Sequence, residues 1–130
     1  MSKVVDNYVI LDEIGSGQFS KVHKGRHMVS GESVAIKVLK LDKLESNPAI
    51  RELIDEEVKV LRMLDSPYLI KNLKMLKTSN NIYEIYEFCE KGTLHSLLQA
   101  QGKLSEREAL SIFKDLVSAI RVLHQKSNSC

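Results

Sequence analysis

The chain has 130 residues, enough for one hydrophobic core and too few for two ordinary domains. Apolar residues make up 43% and charged residues 28%, a globular balance, and a net charge of +2 argues against a nucleic-acid binder that works by neutralising phosphates. Two distant cysteines, Cys89 and Cys130, make neither a disulfide framework nor a zinc site and fit a reducing compartment, cytoplasmic or nuclear, while Met1 to Ile10 holds no signal-length apolar run and no segment approaches a membrane span.

Tyr8 to Ile14 alternates polar and apolar residues and predicts a strand ending at Gly15; Lys21 to His27 predicts a second. Ser30-Gly31 turns the chain into a third, Ser33 to Leu39, so that the three form an antiparallel meander. A lysine- and aspartate-rich link leads to Asn47-Pro48, with Pro48 suited to the first position of a helix. Ile50, Ile54, Leu61 and Leu64 then recur at helical spacing until Ser66-Pro67 ends the run. Strands follow around Leu69 to Leu76 and Ile82 to Phe88, joined by the turn Thr78-Ser79-Asn80-Asn81. Thr93 can cap a short helix ending at Gly102, and Ser105 with Glu108 has the capping-box spacing that opens a long amphipathic helix carrying Phe113, Leu116, Val117, Ile120 and His124 on or near one face.

Two positions are chemically out of place. Lys37 stands in the apolar run Val34-Ala35-Ile36-Lys37-Val38-Leu39, where burying a charge is expensive unless it is paired. It either snorkels from an edge strand or meets an anion. On a helical wheel of about 100° per residue, Glu57 falls in the middle of the stripe made by Ile50, Ile54, Leu61 and Leu64, while Asp55 points away. A carboxylate there costs several kcal/mol unless paired, so Glu57 and Lys37 are natural partners. The glycines of Gly15-Ser16-Gly17-Gln18-Phe19-Ser20 fit a plain hairpin supplying positive φ, or one folded over a nucleotide with backbone N–H groups near its phosphates. A Rossmann fingerprint is excluded because strand follows the glycines, and no Walker Gly-Lys-Ser/Thr is present. His23 and His27 invite a metal reading but lack further ligands.

With these residues in order, the chain resembles the eukaryotic protein kinase family of the Ser/Thr type. The motifs are Gly15 to Val22, Val34-Ala35-Ile36-Lys37, Glu57 to Leu61, Ser66-Pro67 and Tyr86 to Leu94. The resemblance implies an α+β fold: a five-stranded antiparallel sheet with the family's C-helix (αC), then a hinge and two helices of an incomplete second lobe. It divides the chain into an ATP-binding lobe, 1–88, and the hinge exit with the partial lobe, 89–130. It implies ATP as ligand, with Ile14, Gly15, Gly17, Phe19 and Val22 in a loop over it, and Val22 and Ala35 on the adenine. Lys37 would hold the α- and β-phosphates and pair with Glu57. Glu87 to Cys89 would be the hinge, with Tyr86 as gatekeeper, and Glu90 or Thr93 would lie near the ribose.

The family's H-R-D loop, its downstream Asn and its D-F-G follow the last helix, and none occurs in this sequence; Asn128 to Cys130 departs just before them. No catalytic residue or metal ligand is therefore assigned, Mg²⁺ and a protein substrate belong to the complete domain, and the chain by itself is expected to be inactive. A non-catalytic module binding nucleotide or a partner is the alternative. Ser20 replaces the loop's third glycine, and Asn72 falls where family members carry an apolar residue against the C-helix, so it needs hydrogen-bond partners.

Overall fold

Short alternating segments separated by Gly, Asn and Asp turns fold as antiparallel strands in the computed structural model, which describes residues 3–127. In chain order these are β1 (Lys3–Val5), β2 (Tyr8–Ser16), β3 (Ser20–His27), β4 (Ser33–Lys40), β5 (Asn72–Lys77) and β6 (Asn81–Glu87). Helices α1 (Leu41–Glu45) and α2 (Pro48–Met63) connect β4 to β5, and α3 (Leu94–Gln101) and α4 (Glu106–Ser127) follow the sheet. The sheet order is β1-β2-β3-β4-β6-β5, with every neighbour antiparallel.

The five expected strands are present, and β1 makes a sixth. Three residues are too few to show an alternation; what forms β1 is the hairpin turn at Asp6-Asn7, where Asp6 takes φ 53, a conformation Asp tolerates better than most residues. Helix α1 is a second addition, made where the sequence reads as a polar link. Leu41 and Leu44, three apart, are both buried and bring that turn onto the sheet.

β1 and β5 lie at opposite edges, yet Lys74 Nζ on β5 sits 2.6 Å from Asp6 Oδ2 in the β1–β2 turn. The sheet is thus curled until its two ends meet. Inside the curl Tyr8, Val34, Ile36, Tyr83 and Ile85 form one core cluster, with Val5, Ile10, Val38 and Leu76 against it. On the other sheet face Leu39 and Ile82 pack with Leu41 and Leu44, joined by Met75 and by Ile50 and Ile54 of α2. Each fully buried aliphatic side chain contributes roughly 1.5–3 kcal/mol, so these two clusters are the main source of stability in the sheet and its first two helices.

The chain divides into two compact units. One holds the chain through Met63 and Lys71–Phe88; the other holds Leu64–Ile70 and the chain from Cys89 onward. In the second, α3 starts at the predicted cap: Thr93 Oγ1 accepts from the Ser96 N–H at 3.0 Å, and Gly102 at φ 83 ends the helix. Helix α4 opens on the predicted box, with the Glu108 N–H donating to Ser105 Oγ at 3.1 Å and the Ser105 N–H to Glu108 Oε1 at 3.3 Å. Leu110, Phe113, Leu116, Val117 and Ile120 of α4 are all exposed. Cys130 and the departure at Asn128 lie outside the described residues.

Candidate functional site

Strand register assembles the site. Val22 on β3 pairs with Lys37 on β4, which pairs with Glu84 on β6; next to this row Ala35 pairs with Tyr86, and Tyr86 with Asn72 on β5. Side chains alternate between faces, so Val22, Ala35, Lys37, Glu84 and Tyr86 share one face, the same one on which Leu39 and Ile82 receive α2. Gly15 pairs with Val22 at the end of the β2–β3 hairpin.

The glycines of that hairpin do not supply positive φ, which among the described residues belongs to Gly31, Gly92, Gly102 and Asp6. A Cβ on Gly15 would meet nothing within 4 Å, and one on Gly17 only Ser20 at 3.6 Å. The fold itself therefore has no need of glycine at either position. Gly17 and Phe19 line a cavity of about 340 Å³ with Lys21, His23 and Val38, side chains that belong to the other sheet face from Lys37. Ile14 is exposed.

Lys37 is half-buried, and among the described residues no carboxylate lies within 4.0 Å of it. The expected pair with Glu57 is not formed, and Glu57 is exposed rather than central to the buried stripe of α2. Val58, one residue or about 100° further round, is 4% exposed, and Ile54 and Leu61, four before and three after it at helical spacing, are half-buried. Turning the helix toward Val58 buries an apolar side chain and leaves a carboxylate hydrated, which avoids the cost of desolvating it. Leu64, counted in the stripe from sequence, lies beyond the end of α2.

The charge that is buried is Glu84, only 1% exposed. The Tyr86 hydroxyl donates to its Oε2 at 3.0 Å, while Oε1 is buried with no hydrogen-bond partner. Burial pushes the Glu84 carboxyl above the usual carboxylate range; the Tyr86 hydrogen bond and the Lys37 charge pull it back, and Glu57 and Asp55 push it further up. Burial, then the neighbouring Glu84 charge and hydrogen bond, drive the Tyr86 phenol well above its ordinary value. Asn72 is 8% exposed and its amide atoms meet no partner at full hydrogen-bond geometry; its side chain acts on the Tyr86 phenol, its register partner on β6, and pulls that group slightly back down.

Glu87 closes the strand: its N–H donates to the Lys71 carbonyl at 3.0 Å, and its Oε1 accepts from the Lys71 N–H at 3.0 Å. Cys89 is exposed and belongs to the second unit. The histidines serve local structure. His23 Nδ1 bonds the Leu11 carbonyl at 3.0 Å, and His27 Nδ1 accepts from the Val29 and Ser30 N–H groups. Among the described residues no group of three or more His, Cys, Asp or Glu is placed to hold a metal ion. Among the described residues no helix is long and apolar enough to cross a membrane.

Glu84 is the site residue that sequence reading passed over. The signal was available in Asn81-Ile82-Tyr83-Glu84-Ile85-Tyr86-Glu87, where a charge sits mid-strand between apolar neighbours, as Lys37 does in β4.

The protein kinase domain family matches residues 8–128. The chain is 34% identical over 122 residues to the SNF1-related protein kinase catalytic subunit alpha KIN12 of Arabidopsis thaliana, covering 94% of this chain and 24% of that protein. It is 34% identical over 123 residues to the serine/threonine-protein kinase MARK-A of Dictyostelium discoideum, covering 94% of this chain and 11% of that one. Sperm motility kinase 2B of Mus musculus is 36% identical over 119 residues, 92% of this chain and 24% of its own length. The chain thus spans a quarter or less of the length of these relatives.

Proposed function

The chain belongs to the protein kinase domain family, as a partial domain with Ser/Thr kinase relatives, and from that premise we propose that the sheet face bearing Val22, Ala35, Lys37 and Tyr86 binds ATP for phosphoryl transfer to protein Ser or Thr in the complete domain. The observation that carries this reading is the row Gly15, Val22, Lys37 across three strands. It sets a half-buried lysine, with no carboxylate within 4.0 Å among the described residues, in one row with a glycine that neither backbone geometry nor packing requires. A cation and an accessible backbone are what a polyphosphate needs, and Ala35, the small residue beside Lys37, leaves room for a flat base next to Val22.

In this reading Lys37 holds the α- and β-phosphates, Val22 and Ala35 contact the adenine, and Tyr86 closes the space behind it. Ile14, Gly17 and Phe19 complete the loop over the phosphates. Main-chain groups from Glu87 to Cys89 take the base edge, and Glu57 becomes the partner of Lys37 when α2 turns it toward the sheet. The complete domain uses Mg²⁺ with ATP; the described residues offer no cluster to hold it, and no role in metal binding is assigned to them. These 130 residues contain no H-R-D and no D-F-G, so the stretch by itself holds adenine nucleotide weakly at most and transfers no phosphate.

Calorimetric titration of ADP into the 130-residue chain, wild type against Lys37→Met, tests the assignment. Losing a charge-assisted contact worth about 1.5–3 kcal/mol lowers affinity about tenfold or more. Equal affinity in the two proteins overturns it.

A further inference from the structure

Glu84 lies mid-strand in β6, whose residues from Ile82 to Tyr86 are all buried. An ionised carboxyl offers about four acceptor sites, and here one oxygen has the Tyr86 hydroxyl while the other is buried without a partner. Its register partner on β4 is Lys37, the cation whose charge acts on it. Among the described residues, an unpartnered carboxyl oxygen and an ammonium with no carboxylate within 4.0 Å therefore stand on adjacent strands of one face. The other groups whose charge or hydrogen bonding acts on Glu84 are the Tyr86 phenol on its own strand and two exposed carboxylates of α2, Glu57 and Asp55, the second 3.6 Å from Arg51. Met75 is its neighbour on β5 and carries no charge.

We propose that Glu84 is a positioning residue for Lys37, drawing the ammonium along the sheet when ionised and releasing it toward nucleotide phosphate and Glu57 when protonated. The pairing follows from the sheet geometry alone; its effect on nucleotide rests on the ATP-binding reading above. A role confined to hydrogen-bonding Tyr86 is a different matter, because glutamine has the same shape and can accept the same hydrogen bond. Only the charge distinguishes the two. Burial holds the Glu84 carboxyl above the usual carboxylate range, which moves its proton exchange toward neutral pH. Phosphate brings further negative charge to this face and disfavours ionised Glu84. Nucleotide binding thus takes up a proton, and affinity falls as pH rises through the Glu84 titration, by at most about tenfold per pH unit for one linked proton.

Two measurements on the 130-residue chain decide this. Carbon-13 NMR of labelled glutamate carboxyls follows the Glu84 titration directly, without nucleotide. Lys37→Met, which removes the nearby cation, moves it to higher pH, and Glu57→Gln moves it to lower pH. A Glu84 resonance unmoved by Lys37→Met overturns the pairing. Calorimetry with ADP over the same pH range then shows the affinity of the wild type falling while that of Glu84→Gln stays flat, and Glu84→Asp restores a pH dependence that a merely structural role would not produce. Parallel profiles in wild type and Glu84→Gln overturn the release step. A chain that binds no ADP at any pH overturns the ATP-binding reading and the release step together, while the NMR result still decides the pairing.

Discussion

Gly25 and Gly15 are the same residue type used for opposite reasons. A Cβ on Gly25 would run into Ile36 Cδ1 and come within 3.1 Å of Val34 Cγ2, both inside the curl of the sheet. Interiors are packed too closely to absorb a methyl group without shifting neighbours. Gly25→Ala therefore destabilises the fold by about 1–3 kcal/mol, read as a lower midpoint in urea unfolding. Gly15→Ala meets open space and leaves the unfolding free energy within about 0.5 kcal/mol of the wild type, with the midpoint essentially unmoved. Its effect falls on nucleotide affinity, if the proposed loop lies over the phosphates. At this scale the two acids, Glu57 and Glu84, divide what could be read in advance. A wheel centred on Glu57 counts apolar residues at fixed angles and overlooks that Val58 competes for the same inward direction. Glu84 escaped because strand periodicity separates two faces, and in a curled sheet covered by a helix both faces are buried.

The capping boxes of α3 and α4 make those helix starts legible, because their hydrogen bonds run between residues only three apart. In α4 the Ser105 hydroxyl and N–H hold the Glu108 carboxyl below the usual carboxylate range. A group whose folded value is depressed contributes stability above its unfolded value and loses it as pH falls through the folded one. Ser105→Ala costs the first turn about 1 kcal/mol, seen as faster amide exchange from Glu106 to Leu110. In Glu108→Gln the acid-dependent part of that protection disappears. The five strands from β2 onward were readable for a similar reason: their turns carry Gly, Asn, Ser or Thr next to regular alternation. β1 and α1 were not, since three residues are too few to show an alternation and α1 is held by a long-range contact with Ile82. β1 depends on pairing with β2 and α1 on seating two leucines on the sheet.

For the whole molecule, the tie between Asp6 and Lys74 joins positions 68 residues apart and spans both ends of the sheet. The Lys74 ammonium holds the Asp6 carboxyl below its ordinary value, and Asp6 holds Lys74 above its own. The Asp6 contribution is present above its unfolded value and lost as pH falls through the lower, folded one; the Lys74 contribution is lost only as pH rises through its raised folded value. Asparagine tolerates the left-handed turn at Asp6 as aspartate does, so Asp6→Asn removes the charge without straining the backbone. We expect a lower urea midpoint for Asp6→Asn at neutral pH and low salt, with the difference shrinking at high salt and on acidification. A deficit that persists in strong acid would mean the turn, not the charge, was at fault.

That tie has a consequence for how copies of this chain behave toward one another. Among the described residues β1 and β5 each have one side unpaired by any strand, and a row of free N–H and C=O groups is a template for edge-to-edge association. While the curl is closed, the two edges lie where the sheet's own ends meet, and a charged pair stands at the mouth. Once it opens, two adhesive edges become available to neighbours at the same moment.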